Sequence, residues 1–143
     1  MNPQHHQLDL ALFFTAGVSL QVWDRKGMFA REVALYRRLQ ERGIRVSFVT
    51  YGDSRDRAYA SRLPGVRILC NRWRLPASAY RRLLPLLHGA RLRRATLFKT
   101  NQINGAGTAL RAARLWRKPL IARCGYLWSA FAERAHGPDG AAT

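Results

Sequence analysis

The sequence predicts an α/β protein built on one doubly wound, mostly parallel β-sheet of about five strands. Short apolar segments alternate with helical ones along the chain, which is typical of βαβ units. The first apolar segment, at residues 10–14, has no polar interruption, as expected of a strand buried on both faces. A chain of 143 residues with 48% hydrophobic content is large enough for one domain with a buried core.

The amino-terminal third is predicted to contain two strands and a helix. The strand at 10–14 leads into a long loop over 16–27. Residues 28–42 place apolar side chains at helical spacing, and Gly43 ends this helix as a C-cap. The second strand is predicted at 45–51, which is rich in β-branched and aromatic residues.

Turn signals divide the middle of the chain. A short helix is predicted at 55–62 and a third strand at 66–69, each preceded by a glycine-containing turn. Residues 76–94 predict a helix that is interrupted near Pro85, because proline lacks the backbone N–H that a helix interior uses.

The last third repeats strand, polar turn, helix and strand. The strands are predicted at 96–100 and 119–124, with one helix between them at 108–117 and another after them at 127–135. The predicted organisation is a flexible tail at 1–7, a Rossmann-like domain at 8–135 and a frayed end at 136–143.

The chain is strongly basic. It carries 25 basic and 8 acidic residues, a net charge of +17, and only three of the basic residues are lysines. Such a surface attracts phosphate-rich partners, namely nucleic acid, anionic lipid head groups or sugar nucleotides. Arginine accompanies abundant alanine and glycine here, so the composition of a GC-rich genome is the alternative explanation of the charge.

Other residue types set bounds on the class of protein. Cys70 and Cys124 each end a predicted strand and form no CxxC pair, which predicts buried, reduced thiols and no metal site. The four histidines have no clear acid–base partner and are expected to be solvated or structural. The polar N-terminus lacks the layout of a signal peptide, and no apolar run approaches the ~20 residues that span a bilayer. A cytoplasmic location is therefore predicted, with peripheral contact at the inner face of the cell membrane as an extension of it.

The candidate site lies at the carboxyl ends of the predicted strands, where open α/β sheets bind ligands. In the usual strand order the first and fourth strands are neighbours, which brings the Gly17 loop next to residues 101–108. Amide side chains after the fourth strand can bond sugar hydroxyls, and the glycine-opened helix start favours a phosphate. The predicted ligand-binding residues are Gly17, Asn101, Gln102, Asn104, Gly105, Arg123 and Tyr126. For the glycines and Asn104, ordinary turn and capping chemistry is the alternative.

A basic segment at 71–94 is a second candidate surface. Its leucines and arginines interleave as in an amphipathic element that contacts an anionic membrane. The candidate membrane contacts are Trp73, Arg74, Arg81 and Arg82. Two alternatives stay open: contact with nucleic acid phosphates, or a helix that packs its leucines on the sheet and leaves its arginines in solvent.

Two nucleotide-binding motifs are absent from the sequence. AGVSLQV follows the first strand in place of GxGxxG, which disfavours a dinucleotide cofactor, and no GxxxxGK[ST] P-loop occurs. No cofactor is therefore predicted. Nucleic acid is a disfavoured partner, because the aromatic residues form no series of stacking platforms and no recognition motif occurs.

Five short segments follow one another in a recognisable order. They are a glycine-bearing loop at 17–27, RE-x-x-x-Y at 31–36, FVTYG at 48–52, KTNQ-x-x-G at 99–105 and KP-x-x-x-RCGY at 118–126. Their order and spacing resemble the amino-terminal domain of GT-B-fold glycosyltransferases of the family 4-like group. The resemblance covers nearly all of residues 8–135.

The resemblance implies an enzyme that moves a hexosyl unit from a nucleotide-sugar to a saccharide or lipid-linked acceptor, usually without a metal. It implies that the Gly17 loop approaches the donor's phosphates and that loops 101–105 and 123–126 face the acceptor. The family's carboxy-terminal donor-binding domain, with its paired glutamates, is missing here, so a truncated chain that is inactive alone is expected. The alternative is a basic nucleic-acid-binding or peripheral membrane-binding protein without catalysis.

Overall fold

Five short strands pair side by side in one open sheet, and every neighbouring pair is parallel. The computed structural model describes residues 7–123. The strands are β1 (Asp9–Phe13), β2 (Arg45–Val49), β3 (Arg67–Leu69), β4 (Leu97–Thr100) and β5 (Leu120–Ile121). Their order across the sheet is β3-β2-β1-β4-β5, so the topological switch lies between β1 and β4. The predicted class, a Rossmann-like parallel sheet of five strands, is confirmed.

Helices cover both faces of this sheet. They are α1 (Leu20–Arg25), α2 (Phe29–Glu41), a 3₁₀ helix (Ser54–Arg62), α3 (Ala77–Leu87), α4 (Gly89–Leu92) and α5 (Ala106–Trp116). Side chains alternate along β1, so Leu10 and Leu12 pack with α1 and α2, whereas Ala11 and Phe13 pack with α3 and α5. The sheet is therefore buried on both faces, which explains the unbroken apolar run of the first strand.

The two cores differ in character. On the α1 and α2 face, Phe14 stacks on Trp23 with ring centroids 4.2 Å apart, and Phe48 lies edge-on to Tyr36. On the other face, α5 contributes mainly the buried alanines Ala109 and Ala112. Small residues let a helix approach the sheet closely.

A buried ion pair joins the amino-terminal ends of the central strands to α4. Arg91 donates to both carboxylate oxygens of Asp9, at 2.8 and 3.0 Å, and to the Ser47 hydroxyl at 3.1 Å. The two charged side chains are 12% and 7% exposed. This pair lies at the edge of the sheet opposite the candidate site.

The prediction of a loop over 16–27 is wrong for residues 20–25, which form α1. Ser19 caps this helix by accepting a hydrogen bond from the Val22 N–H at 3.2 Å, and Leu20 and Trp23 are buried. The signal in the sequence is a capping serine directly before two core residues at helical spacing.

The predicted interruption of the helix at 76–94 occurs three residues beyond Pro85, at His88, which separates α3 from α4; Pro85 itself lies inside α3. A proline at position 85 leaves the carbonyl of residue 81 without its helical donor. In this fold the Arg111 guanidinium donates to that Arg81 carbonyl at 2.7 Å, and the Trp116 indole donates to the Pro85 carbonyl at 2.9 Å. Side chains of α5 thus donate hydrogen bonds to two carbonyl groups of α3 around this proline.

The helix predicted at 55–62 takes the 3₁₀ form over Ser54–Arg62. The remaining predicted strands and helices occur at their expected places, with ends that differ by a few residues. The predicted helix at 127–135 and Cys124 lie outside the described residues.

Candidate functional site

The loops that follow β1 and β4 touch at the carboxyl edge of the sheet. The Asn101 N–H donates to the Phe13 carbonyl at 2.9 Å, and the Ala16 N–H donates to the Asn104 carbonyl at 3.3 Å. The predicted neighbourhood of these two loops is therefore confirmed. Their contact forms the rim at the topological switch.

Gly105 is required by this contact. Its φ is +114°, and a Cβ there would lie 2.8 Å from the Phe14 carbonyl oxygen and 3.2 Å from the Ala16 nitrogen. Both neighbours are backbone atoms, which cannot move aside as a flexible side chain would. The glycine thus serves the close approach of two loops as well as the start of α5.

The start of α5 is open. No side chain caps this helix, and Gly105 occupies the N-cap position. Asn101, which directly follows β4, is 3% exposed, and its side-chain oxygen has no hydrogen-bond partner within the described residues. Gln102 and Asn104 are exposed beside it. A buried amide oxygen without a partner among the described residues and an uncapped helix start, both within the segment that follows β4, are polar features that a ligand can complete.

Arg123 lies next to the end of β4, because its backbone N–H donates to the Thr100 hydroxyl at 3.0 Å. Its side chain is exposed. The structure therefore brings Arg123 to the same edge of the sheet as Asn101. Tyr126, predicted to act with Arg123, lies outside the described residues.

Two motif residues of the resemblance contact each other below this rim. The Lys99 ammonium donates to the Tyr36 hydroxyl at 3.0 Å. Burial, together with the positive charge of Arg123, lowers the pKa of Lys99, and burial raises the pKa of Tyr36. The contact links α2 to β4, so these two motif residues have a structural role.

A cleft of about 610 Å³ opens on the other side of the Gly17 loop, above the carboxyl ends of β1, β2 and β3. Of the predicted ligand-binding residues that the structure describes, only Gly17 lines this cleft. The cleft lining that sequence reasoning missed includes Ser19, Gln21, Arg25, Tyr51, Asp53, Arg55 and Asn71. Arg74, predicted as a membrane contact, lines the same cleft.

Asp56 is the most consequential residue that the sequence did not reveal. Its fully buried carboxylate accepts hydrogen bonds from the Leu20 N–H at 3.1 Å and the Thr50 hydroxyl at 2.7 Å, with a longer one from Gln21. The chain's own carboxylate thus occupies the amino end of α1, where a glycine-loop fold would hold a phosphate. Gly52 allows this, because a Cβ at that position would overlap the Asp56 carboxylate.

A hydrogen-bonded chain continues from this carboxylate into the core. The Tyr80 hydroxyl donates to the Thr50 carbonyl at 2.8 Å, so the His88 Nε2 at 2.9 Å must donate to Tyr80. Burial lowers the pKa of His88 to about 4, which keeps its imidazole neutral at pH 7. His88 is therefore structural, one of the two roles expected for it.

The segment at 71–94 divides between the core and the surface. Trp73 is half-buried and packs on His88, with the Arg72 guanidinium over its indole. Arg81 and Arg82 are exposed on α3, next to Leu83 and Leu86, which are 43% and 62% exposed. Trp73 is thus packed against the core whereas Arg81 is in solvent, although both were predicted as contacts of one membrane-binding surface.

Within residues 7–123, no three His, Cys, Asp or Glu side chains come together as a metal site would require. Among the described helices, none has both the length and the apolar character needed to cross a membrane.

The geometry defines a Rossmann-like α/β domain with a polar rim at its topological switch. Comparison with protein-family models, with curated proteins and with solved structures found no match.

Proposed function

We propose that this chain forms the acceptor-side domain of a GT-B-type glycosyltransferase, which moves a hexosyl unit from a nucleotide-sugar to a saccharide or lipid-linked acceptor. The observation that carries the proposal is the contact between the β1 and β4 loops. It collects Gly17, the buried Asn101 amide and the uncapped start of α5 at one rim. Amides and free backbone N–H groups are the donors and acceptors that sugar hydroxyls and phosphates need.

In this proposal the diphosphate of the donor binds at α5 and not at α1, because Asp56 occupies the amino end of α1. Asp56 already neutralises the α1 terminus, so a diphosphate is assigned to the start of α5 with help from the exposed Arg123. The acceptor then lies across Gly17, in the cleft above β1 to β3.

The strength of binding at this wall is bounded by simple magnitudes. A helix terminus contributes roughly 0.3–1 kcal/mol, and about 2 kcal/mol when partly buried. Micromolar affinity requires about 8 kcal/mol. The described residues therefore bind a nucleotide-sugar weakly, and a second wall must supply most of the donor affinity. In this proposal the acceleration of sugar transfer comes from positioning of the acceptor hydroxyl and from stabilisation of the departing diphosphate.

An NMR titration of the ¹⁵N-labelled chain with UDP- and GDP-sugars tests this proposal. Shifts are expected at Gly17, Asn101 and Gly105, with dissociation constants of about a millimolar or weaker. The control is Arg81→Gln, a charge removed from the exposed face of α3, which should leave those shifts unchanged. Micromolar binding, or shifts confined to α3, would contradict the proposal.

Peripheral membrane binding is a second candidate, favoured by one observation. Leu83 and Leu86 expose apolar surface on α3 beside Arg81 and Arg82. An anionic surface attracts each nearby arginine by about 1 kcal/mol. Sedimentation with anionic vesicles should fall for Leu86→Ser and for Arg82→Gln, and should stay unchanged for Arg38→Gln on α2. Equal sedimentation of all variants would reject this candidate.

A further inference from the structure

The cleft next to Gly17 carries an excess of positive charge. Three arginines line it, Arg25, Arg55 and Arg74, against one acidic residue, Asp53. Asp53 is already paired with Arg55 at 3.0 Å. Arg25 and Arg74 form no ion pair within residues 7–123. Arg25 and Arg74 therefore border the cleft without a salt bridge to any described residue, and a planar guanidinium suits an oxyanion.

Arg74 is held in an unfavourable backbone conformation. Its φ is +54°, in the left-handed region that favours glycine. Asn71 fixes this loop, because its side chain donates to the Leu75 carbonyl at 2.7 Å and accepts from the Leu75 N–H at 3.1 Å. The Asn71 N–H in turn donates to the Gly52 carbonyl at 2.7 Å. Conformational strain that a neighbouring network maintains is typical of ligand-binding loops.

The α1 terminus contributes nothing to an anion here, since Asp56 fills it. An anion in the cleft must therefore be held by side chains. Ser19 and Gln21 also line the cleft, and a hydroxyl and an amide are groups that can bond sugar hydroxyls. Tyr51 also lines the cleft, and its buried hydroxyl has no hydrogen-bond partner among residues 7–123, a state that costs free energy.

We propose that this cleft binds a small hydroxylated molecule through its oxyanion, a phosphate or a carboxylate held by Arg74 and Arg25. Its volume of about 610 Å³ is ample for a phosphorylated or acidic monosaccharide. Only the role of this molecule as the sugar acceptor rests on the proposed function. The anion site itself stands on the cleft and its arginines.

The chain offers a matched pair of variants for the test. Arg117, the C-cap of α5, has φ +55°, almost the same as that of Arg74, but lies outside the cleft. Arg74→Gly and Arg117→Gly each remove one positive charge and one strained backbone position. A difference in anion binding between the two variants therefore shows an effect of the cleft and not an effect of net charge.

Isothermal titration at constant ionic strength would use glucose 6-phosphate, glucuronate and glucose with the full chain. One or both anions should bind more tightly than glucose, and comparison of the two distinguishes a phosphate site from a carboxylate site. Arg74→Gly should weaken anion binding by about tenfold or more, as expected for loss of a charge-assisted fork, and Arg117→Gly should leave it unchanged.

Equal binding by the wild-type chain and Arg74→Gly would overturn the anion site, as would equal loss in Arg117→Gly. The outcome is separable from that of the proposed function. Arg74-dependent anion binding without any nucleotide-sugar shift at Asn101 and Gly105 would leave the anion site standing and remove the transferase. Nucleotide-sugar shifts at Asn101 and Gly105 without anion binding in the cleft would leave the transferase proposal standing and remove the anion site.

Discussion

Replacement of Arg91 by methionine tests how the sheet is held at the edge opposite the site. The change removes the 2.8 and 3.0 Å bonds to Asp9 and the 3.1 Å bond to Ser47. Methionine keeps much of the apolar stem, so the loss is chiefly electrostatic. The Asp9 carboxylate, only 7% exposed, is left without its counter-charge.

Breaking a buried pair by removal of one partner costs about 3–5 kcal/mol. A domain of this size is stable by about 5–15 kcal/mol, so Arg91→Met should remove a large share of the free energy of unfolding. Urea denaturation followed by circular dichroism measures this loss. Arg94→Met, an exposed change in the same region, should stay within about 0.5 kcal/mol of the wild type.

The double variant Asp9→Leu/Arg91→Met sharpens the test. Replacement of both charges by apolar groups removes the uncompensated carboxylate, so the double variant should be more stable than Arg91→Met alone. A loss below about 1 kcal/mol for Arg91→Met, or a double variant less stable than either single one, would refute the reasoning.

Three further predictions concern the rim, the core and the C-cap of α5. Gly105→Ala should lower the free energy of unfolding in urea by about 2–4 kcal/mol, because it adds backbone strain to an overlap with the Phe14 carbonyl. Gly107→Ala has open space around it and should leave the stability unchanged or raise it slightly. Equal effects of the two substitutions would contradict the close contact of the two loops. His88, with a folded pKa of about 4 against 6.5, binds its proton more readily in the unfolded chain, so the free energy of unfolding should fall by about 2 kcal/mol from pH 6.5 to about pH 5. His88→Gln should lose that part of the pH dependence, and an unchanged slope would show that the imidazole is not the cause. Arg117→Gly should raise the free energy of unfolding by up to about 1 kcal/mol, because it relieves the positive φ, and a destabilised variant would count against strain at this cap.

The strand order and the meeting of the β1 and β4 loops were predictable because they follow from local patterns. An unbroken apolar run identifies a doubly buried strand, and alternating helices leave few topologies for a parallel sheet. The candidate residues at that rim, such as Asn101 and Gly105, were found because they directly follow β4.

The features that the sequence did not reveal depend on distant partners. Asp56 reads as an ordinary acidic residue in a basic helix, and only the fold brings it to α1, some 35 residues away. Pro85 is tolerated because Arg111 and Trp116 approach from another helix. The positive φ of Arg74 has no local signal either, since neither glycine nor asparagine marks that position.

The carboxylate at the start of α1 has a consequence for how this protein responds to its surroundings. A dinucleotide fold that relies on a bound pyrophosphate for this countercharge gains thermal stability as the ligand concentration rises. Here the countercharge is covalently part of the chain, so the turn between β1 and α1 is organised at any solute concentration. Phosphate or nucleotide in the buffer should therefore leave the packing of Trp23 and Phe14 beneath that turn undisturbed. The fluorescence of Trp23 monitors this packing once the other three tryptophans are replaced by phenylalanine.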